Sequence, residues 1–489
     1  MRKAYSTQQR FDCETVEDVR LNLNCRDEII PILRALQQVY SQPQLRDEIL
    51  DLVARDVNDN SRTDRGREGL DYWQVLVLAS VRLGCDLDYD KLQDLAEQHR
   101  ALRQVMGIGD WDEDINFSWR RIHDNVSMLK PETIEKISHL IVSEGHRLEP
   151  DAVKKVRVDS FVVETNIHYP TESSLIVDGT RKVIELCVLL SATFGSDGWR
   201  QADHLLKKVK QTARQINRVS ARKGKDYKKR LKHQYRKLLG RTEKILSRAR
   251  ELSETLEKQQ PSLDLASVSQ LTDLNVFIER TEQVCGTARR RVLEGEQVPN
   301  EEKLFSIFEP HTQLYKRGKA GKPMQFGRLV LVCEDGAGFI SHHYVMPRDA
   351  QDQDVVVSET QKLQDRFDGR IEEASFDRGF HSPENQEALS AIIKHPCLPK
   401  PGSKQSATQL AEATVSFHKA RRRHPGIESA IGALQSGNGL KRCRDATELG
   451  FERYVALGIL GRNLHTLGKL VIAQEDASAK AAYSKRLAA

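Results

Sequence analysis

Three acidic residues of this 489-residue sequence lie where a carboxylate could do chemistry. Asp159 interrupts an apolar, strand-like stretch at residues 156–163, Asp377 ends a second such stretch, and Glu428 falls in the first turn of a predicted helix. Carboxylates that converge repel one another unless divalent cations join them, and hard oxygen ligands suit Mg²⁺ or Mn²⁺. Two such ions, roughly 3.5–4 Å apart, can activate a nucleophile and stabilise the leaving oxygen of a phosphoryl displacement. Together the three residues predict a metal-dependent site for phosphoryl transfer.

Each of the three acids also has a simpler explanation when it is taken alone. Asp159 could lie in an edge strand with one wet face, since a lone carboxylate inside a packed sheet is costly. Asp377, in "FDRGF", suits an ordinary turn at the end of a strand. Glu428 suits the positive end of a helix dipole. The hypothesis of a shared site therefore rests on their order along the chain and on the elements that carry them.

Those elements alternate between helix and strand in a definite order. Residues 14–150 have the apolar periodicity of helices. Strand character begins near residue 152, returns at "KLFSIF", and is clearest at "GRLVLVCEDGAGFISHHYVM", where two alternating runs flank Gly336 and Gly338 as in a β-hairpin. A helix at about 351–367, the strand that ends at Asp377, a helix, a short strand in "HPCLPKP" and further helices follow.

Without residues 172–300 this order is strand, hairpin, helix, strand, helix, strand, helix. It predicts an α+β or α/β fold with an RNase H-like core, in which helices flank a mixed sheet. We expect an all-α N-terminal domain at 1–150 and a core at 151–171 and 301–472. A helical insertion at 172–300 separates the first two core strands, and a flexible tail covers 473–489.

The charge of the chain is concentrated in the predicted insertion. The formal net charge of the whole chain is only +6, but residues 201–250 contain 18 Lys or Arg against 3 Asp or Glu. A solvated helix face explains most charge runs, yet this excess favours a polyanionic partner, because phosphate contacts dominate DNA affinity. The densest basic group contains Lys228, Lys229, Arg230 and Lys232.

The spacing of the cysteines and the hydropathy of the chain indicate where in the cell the protein is expected. None of the eight cysteines stands at CxxC spacing, so a structural zinc site is not expected. The sequence shows no apolar run of the length of a membrane span and no signal-peptide pattern at its start. We expect a cytoplasmic protein with reduced thiols and no membrane partner.

Several long stretches resemble one family of enzymes. They are "RVDSFVVETNIHYPTESSLIVDGTRKV", "FSIFEPHTQLYKRGKAGKPMQFGRLVLV", "FDRGFHSPENQ" and "RRRHPGIESAIGALQSGNGLKRCRDATELGFERYVALGILGRNLHTLGKLV". These stretches look like bacterial insertion-sequence transposases of the DDE type, with the ISNCY grouping closest. "GREGLDYWQVLVLASVRLG" looks like the N-terminal helical domain of these transposases.

The resemblance implies a function and a set of site residues. Asp159, Asp377 and Glu428 would be the DDE triad, holding one or two Mg²⁺ or Mn²⁺ ions. The enzyme would cleave double-stranded DNA at terminal inverted repeats and join the 3′-OH ends to target DNA. Pairing of two DNA ends implies a homodimer or a higher oligomer in the active complex, associated with the bacterial nucleoid when DNA is bound.

The sequence departs from the family around its glutamate. Many related transposases carry Tyr-x-x-Arg before the glutamate and Lys after it, whereas Arg421, His424 and Gln435 stand at the corresponding positions here. The triad is carried over, but that signature is not. Arg421, Arg422, Arg423 and His424 either clamp the scissile DNA end or form a solvated basic turn.

Two further features have both functional and structural explanations. Asn166 and His168 could touch a phosphate, although polar capping of the strand exit is the favoured explanation. Trp119, with Arg120 and Arg121, fits a DNA-reading helix or a core position.

Two rival functions remain open. A domesticated, non-catalytic DNA-binding protein would use the same basic surfaces without metal chemistry. A recombinase with a tyrosine nucleophile is formally suggested by "HQYR" at 233–236, which fits the His-x-x-Arg part of such a signature, although a match inside so basic a helix is expected by chance.

Overall fold

The computed structural model describes residues 3–5, 11–59, 69–112, 114–222, 224–258, 264–316, 324–400 and 414–488. They form two compact units. The first unit combines Met1–Asn166 with Arg328–Ala489, and the second is Ile167–Gly327. The second unit contains the predicted insertion. The N-terminal helices share the first unit with most of the sheet, whereas the sequence pattern predicts a separate domain for them.

The helices account for most of the described chain. In chain order they are α1 (Ile29–Tyr40), α2 (Pro43–Asp59), α3 (Tyr72–Gly84), α4 (Tyr89–Gln98), α5 (Arg100–Val105), α6 (Trp119–Val126), α7 (Pro131–Leu148), α8 (Glu172–Phe194), α9 (Ala202–Arg222), α10 (Tyr227–Glu257), α11 (Leu265–Ala288), α12 (Asp352–Arg366), α13 (Pro383–Ile392), α14 (Val415–Arg423), α15 (Gly426–Gly437) and α16 (Glu448–Ala488). Many of these helices start with a side-chain cap. Ser382, for example, accepts a hydrogen bond from the Asn385 N–H, with Pro383 at the first helical position.

A mixed sheet of six strands carries the candidate site. The strands are β1 (Lys155–Glu164), β2 (Gln313–Lys316), β3 (Met324–Glu334), β4 (Ile340–Val345), β5 (Glu373–Phe376) and β6 (His395–Cys397). Their order is β2-β3-β1-β5-β6, and β4 also pairs with β3. The pairs β1–β5 and β5–β6 are parallel, whereas β3 is antiparallel to both β2 and β4. The mixed α and β character predicted from the sequence is confirmed.

One predicted strand is displaced. The stretch "KLFSIF", residues 303–308, contains no strand, and β2 begins only at Gln313. The strand is predicted there from a short apolar run. Leu304 and Ile307 instead belong to the buried core of the second unit, and the ring of Phe305 packs against that of Phe326.

The long helix α16 organises the core of the first unit. It packs against α1, α3 and α7. Two glycines permit close helix contacts: a Cβ at Gly461 would lie 2.6 Å from the Gly84 Cα, and one at Gly468 would overlap the carbonyl oxygen of Pro31. The helix is buried through Val471 and exposed from residue 473 onward, so the predicted tail at 473–489 is a continuation of α16 as far as Ala488. Its flexibility stays a prediction.

The second unit is built on four helices with their own core. α8 packs against α9, α10 and α11, and the buried residues include Val183, Leu238 and Leu274. Across the described part of the chain, no helix combines the length and apolarity needed to cross a membrane.

Candidate active site

The parallel pairing of β1 and β5 brings two of the three predicted acids together. In the register Arg157 pairs with Ser375 and Val158 pairs with Phe376, so the next position of β1, Asp159, adjoins Asp377. Asp377 keeps an extended backbone, with φ −75° and ψ 163°, so it continues the line of β5. Neighbouring strands lie about 4.8 Å apart. Residues in register on parallel strands point to the same face, so both carboxylates rise from one side of the sheet.

The two faces of this strand pair differ in polarity. Val156, Val158, Ala374 and Phe376 are buried on one face. The opposite face carries alternating polar residues, which are Arg157, Asp159, Ser375 and Asp377. This arrangement explains how a carboxylate can interrupt an apolar strand, because only the polar face receives it. Asp159 is half-buried there, its Oδ1 accepts a hydrogen bond of 2.7 Å from the Ser160 N–H, and Asp377 is exposed.

The segment between α14 and α15 covers the polar face. Arg423, the last residue of α14, forms an ion pair with Glu373 of β5. The next residue, His424, has its Nδ1 3.2 Å from the Ser375 Oγ. Glu428 then lies in the first turn of α15 and is exposed. The predicted element of each acid is confirmed: Asp159 in the first strand, Asp377 at a strand end, and Glu428 at a helix start.

The pKa of His424 reflects the burial of its side chain and the charges around the site. Burial lowers the pKa of its imidazole, and the Arg157 guanidinium lowers it further, while Asp377 and Glu428 oppose this shift; the net pKa is below the ordinary value. The imidazole is therefore neutral at physiological pH. Because Asp377 and Glu428 both act on His424, both carboxylates belong to the surroundings of the same side chain.

The donor set suits a hard divalent cation. Asp159 and Asp377 offer carboxylate oxygens from adjacent strands, and Glu428 offers a third from the helix that covers the same face. Oxygen ligands of this kind fit Mg²⁺ or Mn²⁺. The three carboxylates do not, however, form a group in which all ligand atoms lie within 4.8 Å of one another; in the described residues only Glu135, His139 and His342 do.

An arginine occupies that second group. Arg366 donates from Nη2 to Glu135 (3.2 Å) and from Nη1 to the His342 Nδ1 (3.2 Å). The other ring nitrogen of His342 lies 2.9 Å from Glu359. A guanidinium already hydrogen-bonded to two of the three groups disfavours a second cation. We therefore interpret this group as a polar network that joins α7, β4 and α12.

The other predicted site residues have mixed surroundings. Arg421 and Arg422 are exposed, in contrast to the ion-paired Arg423, and Asn166 is exposed in the bend after β1. In the second unit, the His168 Nε2 lies 2.7 Å from Asp178. Burial is the largest influence and lowers the pKa of His168, but the hydrogen bonds to Asp178 and to the Tyr169 carbonyl oxygen and the charge of Asp178 together outweigh it, so the pKa is raised.

Most of the basic residues on helices α9 and α10 of the second unit are exposed, and they form a basic surface that the sequence pattern defines only in part. Lys228, Lys229 and Arg230 are exposed on α10 as expected, but Lys232 is half-buried and donates to the Leu293 carbonyl oxygen (2.8 Å), because the chain after α11 passes beside it. Lys232 is thus held by the fold of the unit. A row of five exposed basic residues on α9 lies within the basic stretch noted in the sequence, which did not single the row out; it consists of Lys207, Lys210, Arg214, Arg218 and Arg222.

The spacing of this row was available in the sequence. Its members recur every three or four residues, so they share one side of α9. The opposite side carries the buried residues Val209, Ala213 and Ile216. No carboxylate within the described ranges lies within 4.0 Å of any of the five, so their charges face solvent unneutralised.

Two aromatic residues that the sequence pattern singled out differ in their exposure to solvent. Trp119 is 43% exposed, so the core interpretation is wrong, and Arg120 lies 5.3 Å from its ring centroid. Tyr235 of "HQYR" is 4% exposed and packs in the core of the second unit. Burial raises the pKa of Tyr235 to about 12.

Comparisons with protein-family models, with curated proteins and with solved structures found no significant match for this chain.

Proposed function

We propose that this protein is a metal-dependent DNA transposase of the DDE type. The observation that carries the proposal is the register of β1 and β5, which sets Asp159 beside Asp377 on the polar face of the sheet. Glu428 reaches the same surroundings from α15, beside His424. Two aspartates on adjacent strands and a glutamate on a covering helix suit the chemistry of phosphoryl transfer better than they suit a purely structural role.

The strand order supports an RNase H-like core. β1 is central, with the antiparallel β3–β4 hairpin on one side and the parallel strands β5 and β6 on the other. Leaving out the short β2, the order across the sheet is β4-β3-β1-β5-β6. Asp159 then lies in the central strand and Asp377 directly follows its parallel neighbour β5. The carboxyl end of β5 is the edge where open sheets of this type bind ligands.

Each residue of the site has a proposed role. Asp159 and Asp377 would hold one or two Mg²⁺ or Mn²⁺ ions with Glu428, and such ions activate a water or a 3′-OH and stabilise the leaving oxygen. His424, neutral and half-buried, fixes the start of α15 against Ser375. Arg421 and Arg422, which are exposed next to it, would contact the phosphates that flank the scissile bond.

The DNA partner is proposed from the charged surfaces. The exposed row on α9, together with Lys228, Lys229 and Arg230, would neutralise phosphates of terminal repeats and target DNA. The exposed Trp119 and Arg120 at the start of α6 make the N-terminal helices the candidate for reading the element ends. Joining two ends requires a homodimer or a higher oligomer in the active complex.

A cleavage assay with Asp377→Asn tests the proposal. The substrate is a linear duplex that contains the genomic sequence on both sides of the coding region, incubated with and without Mg²⁺. We expect metal-dependent nicking by the wild type and a loss of at least about 100-fold with Asp377→Asn, because the amide cannot neutralise a metal ion. Binding to the duplex should stay within about twofold of the wild type, because phosphate contacts elsewhere on the protein carry most of the affinity.

A matched control separates charge at the site from charge in general. Glu372→Gln also turns a carboxylate into an amide, at an exposed position just before β5, and it should cleave normally. Equal activity of Asp377→Asn and the wild type would refute the proposal. Binding without any cleavage by the wild type would favour the non-catalytic alternative, and a covalent protein–DNA adduct would favour the tyrosine recombinase.

A further inference from the structure

The start of α15 is held against the sheet by one side chain of β1. Arg157, two residues before Asp159 on the same face, is 25% exposed and lies 2.6 Å from Glu334 of β3. Its Nη1 also donates to the carbonyl oxygen of Arg423, the last residue of α14 (3.2 Å). A cation at the carbonyl end of a helix is electrostatically favourable. One guanidinium therefore connects β1, β3 and the end of α14.

Gly426 lets the backbone of α15 approach this guanidinium. A Cβ at Gly426 would overlap the Arg157 Nη1 and lie 2.9 Å from the Cζ. The first residue of α15 thus packs on the guanidinium, and a side chain at position 426 would displace it. Glu428 follows two residues later in the same helical turn.

The far end of α15 is fixed separately. Glu164, at the end of β1, forms a parallel bridge with Arg442, and the Cys443 N–H donates to the Glu164 carbonyl oxygen (2.7 Å). The Asn438 side chain donates to the Leu83 carbonyl oxygen (3.1 Å). These contacts secure the end of α15 opposite to Glu428. The contacts at Arg157, Ser375 and Glu373 secure the end that carries it.

We propose that Arg157 is a positioning residue that sets Glu428 over Asp159 and Asp377, with Gly426 as its required counterpart. The proposal rests on the proposed function in taking Glu428 as a metal ligand. Arg157 itself touches no reacting atom. Its planar guanidinium meets a carboxylate, a carbonyl oxygen and a glycine backbone at once, a combination that the point charge of lysine cannot reproduce.

Manganese titration followed by electron paramagnetic resonance measures the effect directly. We expect Gly426→Ala and Arg157→Gln to weaken Mn²⁺ binding by about 10–100-fold, the range typical when the residues that orient metal ligands are changed. Arg157→Lys should fall between them and the wild type, because it keeps the charge but loses the planar fork. DNA-end binding should change by less than about twofold, because the row on α9 and its neighbours are untouched.

Two matched controls come from the same unit. Gly432→Ala changes another glycine of α15, where a Cβ would meet no atom within 4 Å. Arg34→Gln removes another partly buried arginine that is ion-paired, here with Glu475. Neither should alter Mn²⁺ affinity. If both controls weaken it as much as Gly426→Ala does, the effect is general destabilisation and the proposal is overturned.

A double-mutant cycle isolates the route through Glu428. If Arg157 acts through Glu428, Arg157→Gln should cause no further loss of Mn²⁺ affinity in a Glu428→Gln background. Additive losses would show that Arg157 acts on the site independently and would overturn the proposal. A structural role in folding alone would leave the two changes additive.

Failure of the proposed function can be told apart from failure of this inference. If the wild type binds no Mn²⁺, or if its Mn²⁺ binding survives Asp377→Asn, the proposed metal site itself is wrong. Hydrogen exchange at residues 426–431 in metal-free protein then tests separately whether Arg157 positions the start of α15. Arg157→Gln should speed exchange there while Arg34→Gln does not; unchanged exchange in Arg157→Gln overturns the inference.

Discussion

At the scale of the residue, environment decides what each titratable group can do. Asp159 is tolerated in an apolar strand because the alternation of β1 turns it toward a polar face. His424, four residues before Glu428, is kept neutral by burial and by Arg157. The network at α7 shows the same principle in a structural role: burial, followed by the nearby Arg366, lowers the pKa of His139 to about 2.

Buried histidines should make the protein sensitive to acid. Burial also lowers the pKa of His343 to about 4. An unfolded histidine binds a proton near about pH 6.5 while these two do not, so their contribution is complete above that pH. It is lost as the pH falls toward about 4 for His343 and toward about 2 for His139. Each should cost up to about 1.4 kcal/mol per pH unit in that window.

Urea unfolding at about pH 7 and about pH 5 measures this loss. The difference in free energy of unfolding between the two pH values should be smaller by about 1–2 kcal/mol in His139→Gln than in the wild type. Asp71 acts in the opposite direction, because burial raises its pKa to about 7 and its contribution grows as the pH falls below that value. An unaltered difference in His139→Gln would contradict the assigned pKa.

At the scale of the element, the two sides of α9 have different roles. Its buried side holds the four-helix core of the second unit, and its exposed side carries the row of five basic residues. Because α-helices rise about 1.5 Å per residue, the row extends over roughly 22 Å. That length suits contact with several phosphates of one duplex.

Neutralising the row should reduce DNA affinity without regard to sequence. For the variant Lys207→Gln, Lys210→Gln, Arg214→Gln and Arg218→Gln, the log–log salt slope should fall by about 0.9 for each phosphate that the row no longer neutralises. The measurement is a fluorescence titration of a duplex of about 30 base pairs, which is about three helical turns, at several salt concentrations.

The control for the row changes lysines that are already ion-paired. Lys91, Lys154, Lys182 and Lys362 each have a carboxylate within 4.0 Å. Replacing these four with glutamine removes the same net charge, and the salt slope should hardly change. An equal fall in both variants would mean that net charge, and not the α9 row, governs binding.

At the scale of the whole molecule, the N-terminal helices are part of the body that holds the site. α1, α3 and α7 cover α16, whose buried residues include Leu457, Leu460 and Leu464. His146 of α7 also lies 2.7 Å from Asp335, in the turn of the β3–β4 hairpin. A helical module that only read DNA would need no such contacts with the sheet.

Removing residues 1–150 should therefore abolish folding. The fragment 151–489 would expose the apolar side of α16, and we expect aggregation or loss of cooperative thermal unfolding, seen by calorimetry and light scattering. Deleting residues 478–489, whose described side chains are exposed, should leave the melting temperature nearly unchanged. A fragment 151–489 that unfolds cooperatively near the wild-type temperature would show that the two parts are independent.

The sequence alone determined the local features of this protein. Asp159 within a strand, Asp377 at a strand end, Glu428 and Ser382 at helix starts, and the hairpin around Gly336 all follow from interactions within a few residues. The same holds for the basic character of α9 and α10. Hydrophobic periodicity, capping and turn chemistry are short-range effects, so they can be read along the chain.

Only the tertiary structure decided which of these features meet. The register that sets Asp159 beside Asp377 joins residues 218 positions apart, and the contact of Arg157 with Gly426 joins residues 269 apart. Helical pattern could not show that the N-terminal helices pack on α16, nor that Lys232 is held by the Leu293 carbonyl oxygen. Such pairings depend on burial shared between distant segments, and a sequence pattern records that a face is apolar or charged without recording its partner.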